Sequence, residues 1–124
     1  MSTTPLISIK DGTQQILVEI DDIIWIEAHE QYSYIKLNGE ANKNKKYITK
    51  SSLKKLEMEL SALNADFLRV SKFFIINMSA VAAIEKRSNG KNGKKEYIKF
   101  KNDDKLVTIG RRYKKNLKAI IWEV

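Results

Sequence analysis

Apolar positions along this chain gather in short runs, and the longest such passage, Phe67 to Lys86, is broken by one polar interruption at Ser71-Lys72. Phe67, Leu68 and Val70 before the break, and Phe73, Phe74, Ile75 and Ile76 after it, are side chains that favour burial. Two polar residues wedged between aromatic and β-branched runs predict a tight surface crossing between strands, where a rigid scaffold presents a side chain outward. Upstream, Ile7 and Ile9 alternate with Leu6, Ser8 and Lys10, Asp11-Gly12 marks a turn, and Gln15 to Ile20 supplies a hairpin partner. Past a turn at Asp21-Asp22, Ile23 to Glu27 and Tyr32 to Leu37 predict a second hairpin about the polar knot His29-Glu30-Gln31. Asn38 to Lys46 has almost nothing to bury and reads as an exposed, mobile loop, after which Tyr47-Ile48-Thr49 returns to a strand.

The period then changes. Leu53, Leu56, Leu60 and Leu63 recur at helical spacing, with Ser51 or Ser52 as N-cap and Asn64-Ala65-Asp66 as the stop. Further on, the Asn-Gly pairs within Ser88 to Gly93 place a hairpin loop between strands at Val81–Lys86 and Lys95–Lys101. Alternation turns Ile98 and Phe100 inward and Tyr97, Lys99 and Lys101 outward. Leu106 to Ile109 is a last strand, and Gly110 separates it from a short basic helix over Arg111 to Val124. The fold class is therefore mainly β: an elongated arrangement of small antiparallel sheets with one central helix and a short C-terminal helix. Residues 1–5 form a flexible N-terminal arm and residues 6–124 a single domain, since 124 residues suffice for one core and no linker interrupts them.

Charge sharpens this picture. The chain has 23 basic and 15 acidic residues, a net of +8, and the excess is unevenly placed. Residues 1–35 are net −5, whereas residues 36–55 are net +6 and residues 86–118 net +10. Such polarity favours a polyanionic partner, either nucleic acid or an anionic membrane surface. With no cysteine there is no disulfide framework, thiolate nucleophile or Cys-based zinc site, and a reducing cytoplasm is the expected location. No signal peptide and no membrane-length apolar run is present, so membrane insertion is not expected.

Catalytic constellations do not assemble. His29 is the single histidine and sits in a predicted turn, which makes it an ordinary surface residue, and Asp21-Asp22 suits a turn better than acid/base work. No phosphate-binding glycine loop or nucleophile elbow occurs, so no enzyme activity, cofactor, metal or small-molecule substrate is expected. The amphipathic helix carries mixed charge without a recognition-helix pattern, leaving loops to meet a nucleic acid. Basic or hydrogen-bonding residues cluster at three breaks between strands: Gln31 to Ser33, Ser71-Lys72, and Gly110-Arg111-Arg112. Arginine suits bidentate contact with guanine, and Arg112, Lys114 and Lys115 suit phosphates, with Gln31 and Ser71 as further backbone contacts.

These residues resemble the LytTR-type DNA-binding domain of bacterial transcription regulators. The resemblance rests on Phe67-Leu68-Arg69-Val70-Ser71-Lys72-Phe73-Phe74-Ile75-Ile76-Asn77 and the following Val81-Ala82-Ala83-Ile84. It is extended by Asp21-Asp22-Ile23-Ile24-Trp25-Ile26-Glu27-Ala28 and by Thr108-Ile109-Gly110-Arg111-Arg112-Tyr113-Lys114-Lys115, in the family's order and spacing. It implies a response-regulator effector domain that grips bent duplex DNA by loops entering successive major grooves. By position, the base-reading side chains implied are Ser33, Lys72 and Arg111, and the partner is double-stranded DNA with repeated sites that admit a second copy. The chain departs from the family pattern where Ser71 replaces a histidine, Phe73 a serine, and Gly110 a serine before the arginines. The departures at Ser71 and Phe73 motivate the alternative of a non-enzymatic interaction module of the same fold that binds a protein partner or RNA.

Overall fold

A computed structural model of the chain describes residues 5–39, 46–63, 66–88 and 94–118. The first four residues of the N-terminal arm, most of the 38–46 loop, Asn64-Ala65 of the helix stop, the Asn-Gly loop at 89–93 and the end of the C-terminal helix lie outside the described residues.

The chain forms the expected mainly β arrangement of small antiparallel sheets. Strands β1 (Leu6–Asp11) and β2 (Gln14–Glu19) pair as a hairpin, with Ile9 opposite Ile16 and Gly12 in the left-handed region at φ 65°. A 3-10 turn at Ile20–Asp22 leads into β3 (Ile23–His29), which pairs with β4 (Tyr32–Leu37). Then come β5 (Lys46–Thr49), the helix α1 (Leu53–Leu63), β6 (Phe67–Arg69) and β7 (Phe74–Asn77). These strands form one five-stranded sheet in the order β5-β4-β3-β7-β6. A 3-10 turn at Met78–Ala80 precedes β8 (Val81–Ser88), which pairs with β9 (Lys94–Phe100), and β9 with β10 (Leu106–Thr108), giving a three-stranded sheet. The last described segment is a 3-10 turn at Arg111–Tyr113 running into α2 (Lys114–Lys118).

The five-stranded sheet is buried on both faces, which is why Ile23 to Ile26 and Phe74 to Ile76 read as unbroken apolar runs. On one face Ile23, Ile26, Ile35, Leu37, Phe67 and Ile75 pack with Ile7, Ile9 and Val18 of the first hairpin and with Leu53, Leu56 and Leu60 of α1. On the other, Ile24, Trp25 and Ile76 pack with Ile98, Phe100 and Val107 of the three-stranded sheet and Leu117 of α2. A register shift between Ile23 and Trp25 puts Ile24 and Trp25 in the same core, breaking strict alternation. Asn77, 1% exposed, ties the strand ends together: its amide donates to Ile23 O at 2.9 Å, and its oxygen accepts from Ser79 N and Ser79 Oγ at 3.1 and 2.8 Å.

Two sequence expectations change. Phe73 does not join the core; it is 60% exposed. The regular ladder of β7 begins only at Phe74, whose ring takes the inward place, edge-on to Trp25 at 6.0 Å between centroids. Ser33 faces inward, 1% exposed, so it is not presented on the surface as a base-reading residue would be.

Candidate nucleic-acid interface

Antiparallel pairing fixes which loops share an end of the sheet. Ala28 lies opposite Ser33, Ser33 opposite Thr49, Glu27 opposite Phe74, and Arg69 opposite Ile75. The turn His29 to Gln31, the link Lys50 to Ser52 into α1, and the crossing Val70 to Phe73 therefore emerge side by side. The acidic pair Asp21-Asp22 lies in the turn at the opposite end of β3. Spaced at about 4.8 Å per strand, the end of the five-stranded sheet runs for roughly 19 Å.

The third predicted break joins the same end. Gly110 N donates to Val70 O at 2.7 Å, and a Cβ placed on Gly110 would stand 3.5 Å from Ser71 Cα and 3.2 Å from the Tyr113 ring. The crossing that carries Lys72 and the turn that carries Arg111 and Arg112 are thus in direct contact, although about forty residues separate them in the chain. Lys72, Arg111, Arg112 and Lys115 are exposed, and Lys114 is partly exposed with its ammonium 3.6 Å from the Glu96 carboxylate.

The shape of the crossing is set by Arg69. Its guanidinium donates to Ser71 O at 3.2 Å and to Lys72 O at 2.9 Å, lies 3.6 Å from Glu57 of α1, and stands over the Tyr113 ring at 6.0 Å. Five fixed donors on a planar group suit it to hold two carbonyls, a carboxylate and a ring at once. Sequence reasoning treated Arg69 only as part of a motif; its signal is a charged residue at the end of an apolar strand, immediately before the crossing. Ser71 Oγ accepts from Phe73 N at 3.1 Å, which leaves its O–H free to donate outward. Phe73 O accepts from Ala28 N at 2.8 Å and Phe74 O from Val70 N at 3.1 Å, so the crossing is pinned to its neighbours on both sides.

Of the other predicted residues, Gln31 is exposed beside Glu30, a non-glycine residue at φ 57° that marks a tight left-handed turn. Ser33 donates its hydroxyl to Ser51 O at 2.8 Å and serves to dock the entrance of α1 against β4. His29 is exposed and lies against Tyr34 at 5.4 Å between ring centroids. Behind the edge, Glu27 and Lys105 lie 3.6 Å apart, and the Lys105 ammonium also stands over Trp25 and Phe74. On β8, a hydrogen bond from Arg87 at 3.0 Å holds the Glu85 carboxyl below its ordinary range. Among the described residues there is no cluster of acids and histidines fit for a metal, and no helix is long and apolar enough to cross a membrane.

A mainly β module whose cationic side chains project from linked strand ends has the build of a nucleic-acid-binding domain. The LytTr DNA-binding domain model matches residues 13–122, and the chain belongs to that family of DNA-binding domains. In structure the chain is similar to the LytTr DNA-binding domain of a putative methyl-accepting/DNA response regulator from Bacillus cereus, with a TM-score of 0.68. The two are 20% identical over 92% of this chain and 94% of that one, a likeness of fold. No curated protein matches the chain.

Proposed function

We propose that the chain binds duplex DNA sequence-specifically to regulate transcription, using the linked strand ends as its reading edge. The observation that carries this is the Gly110 N to Val70 O hydrogen bond, which sets Lys72 and Arg111 on one rigid platform. A pinned backbone loses little freedom on binding, and arginine and lysine are suited to guanine edges in the major groove. Lys72 and Arg111 read bases; Gln31, Ser71, Arg112, Lys114 and Lys115 contact the backbone, Lys114 by exchanging Glu96 for a phosphate. The Gln31 turn takes the place that position alone would give to Ser33, whose hydroxyl is committed to Ser51.

An edge of roughly 19 Å is shorter than one turn of B-DNA, about 34 Å. Long lysine and arginine side chains extend the reach, but loops in successive major grooves require the duplex to bend toward the protein. Such a bend costs of order 1–6 kcal/mol and adds a preference for deformable sequences. The short footprint also supports repeated sites occupied by adjacent copies.

Selection of bound duplexes from a random library, followed by titration, tests the reading. One site is expected to be bound in preference to bulk DNA, with log K falling against log salt at a slope of about −3 to −5 for three to six phosphate contacts. Arg111→Ala is expected to cost about 1–3 kcal/mol and to relax preference at one base position. Equal affinity for all duplexes at physiological salt refutes specific recognition.

A further inference from the structure

Phe73, 60% exposed, is a large apolar side chain on the reading edge, placed between Lys72 and the first ladder residue of β7. Its neighbours make it neither a loose end nor a core residue. The backbone is held on both sides, with Phe73 N bonded to Ser71 Oγ at 3.1 Å and Phe73 O to Ala28 N at 2.8 Å. Phe73 lines a shallow concavity of about 330 Å³ with Leu106 and Thr108 of β10, and the paired Lys105 and Glu27 stand on the same wall. Leu106 is itself 38% exposed. An apolar surface is thus fixed within a cationic edge, beside Lys72 and across the Gly110 contact from Arg111. Water covers this surface in the free protein at a hydrophobic cost, and the crossing does not need it for packing, since Phe74 fills the inward place.

Building on the DNA-reading proposal above, we infer that Phe73 is a specificity-determining residue that recognises the 5-methyl group of a thymine in the major groove. Thymine is distinguished there by that methyl group, and aromatic or small apolar side chains are its natural contacts. The side chain next to Lys72 enters the same groove as Lys72, so the methyl read by Phe73 belongs to a base neighbouring the one read by the lysine. A serine at this place offers a hydroxyl suited to phosphate; phenylalanine exchanges that hydrogen bond for an apolar contact and shifts the preferred operator toward thymine at one step.

The test uses the full chain and its selected site, with each thymine replaced in turn by deoxyuridine, which lacks only the methyl group. For the unaltered protein one replacement is expected to weaken binding about fourfold, the worth of one buried methyl-sized group at roughly 0.8 kcal/mol. In Phe73→Ser that replacement is expected to have no effect, while Arg111→Ala keeps it. Because Phe73 is exposed, the variant is expected to melt with the unaltered protein, which circular dichroism checks. Site-specific binding that tolerates every deoxyuridine, or a loss that persists in Phe73→Ser, overturns the role of Phe73 and leaves the DNA-reading proposal standing; absence of any preferred site overturns both.

Discussion

Ser33 and Lys72 both sit at breaks between strands, yet one points into the protein and the other out of it. The difference was present in the strand's parity: Ser33 shares its face of β4 with Ile35 and Leu37, both buried, so its hydroxyl meets Ser51 O. Ser33→Ala is accordingly expected to lower stability by about 1–3 kcal/mol, through a carbonyl left without its donor, and to leave base preference unchanged. Denaturant titration together with operator selection on the variant measures both. A changed base preference at full stability would instead restore Ser33 to the DNA surface. Phe73 shows the opposite lesson, because the ladder of β7 starts one residue later and parity has no hold on it. Residue type alone placed it in the core, whereas backbone pairing placed it outside. Arg69 is a third kind, invisible to sequence reasoning because its partners are carbonyl groups of the crossing itself, which carry no side-chain signature.

At the scale of elements the sequence was most legible where local chemistry is self-contained. The Asp-Gly turn between β1 and β2 and the leucine period of α1 each decide their own structure. Ser52 caps α1 as its position predicts, with Lys55 N donating to Ser52 Oγ at 3.2 Å. The two lysines that follow, Lys54 and Lys55, occupy the first turn, where the helix dipole disfavours cations. Because Ser33 is docked to Ser51, this turn lies at the same end of the sheet as Lys72, where a bound phosphate would reverse that sign. Converting both lysines to glutamate is expected to raise the stability of the free protein by about 0.3–1 kcal/mol per position and to weaken DNA binding. Thermal melts and titrations on one pair of samples check the two opposite signs; weaker binding without added stability would remove the dipole account. What local chemistry left undetermined was pairing order, since β3 takes β7 rather than β5 as its second neighbour, and that choice depends on contacts distant in sequence.

For the whole molecule, the decisive fact is that both cores are built on the same five-stranded sheet. Ile26 belongs to the core under α1 and Ile76 to the core under the three-stranded sheet, and the strands that carry them are paired. A cavity on either face is therefore expected to lower the melting of the entire domain. Ile26→Ala and Ile76→Ala should each cost about 2–5 kcal/mol and shift one common transition seen by circular dichroism and by tryptophan fluorescence. Two separated transitions would mean that the layers fold independently. The apolar runs pointed to burial, but not to a sheet covered on both faces or to the layers that cover it. The convergence of the three loops was beyond the sequence for the same reason, because it depends on the hydrogen bond that joins Gly110 to Val70.

The four residues from Val70 to Phe73 lie between two ladders that end at Arg69 and begin again at Phe74. Val70 is buried and the Ser71 hydroxyl accepts from Phe73 N, and together they hold the platform, while the side chains of Lys72 and Phe73 add little to the cohesion of the sheet. Under the proposed DNA reading, the side chains that select the operator, Lys72 and Phe73, are thus separate from those that hold the scaffold. On that reading, new operators are open to the lineage through changes at two adjacent codons of the crossing, with the frame left intact.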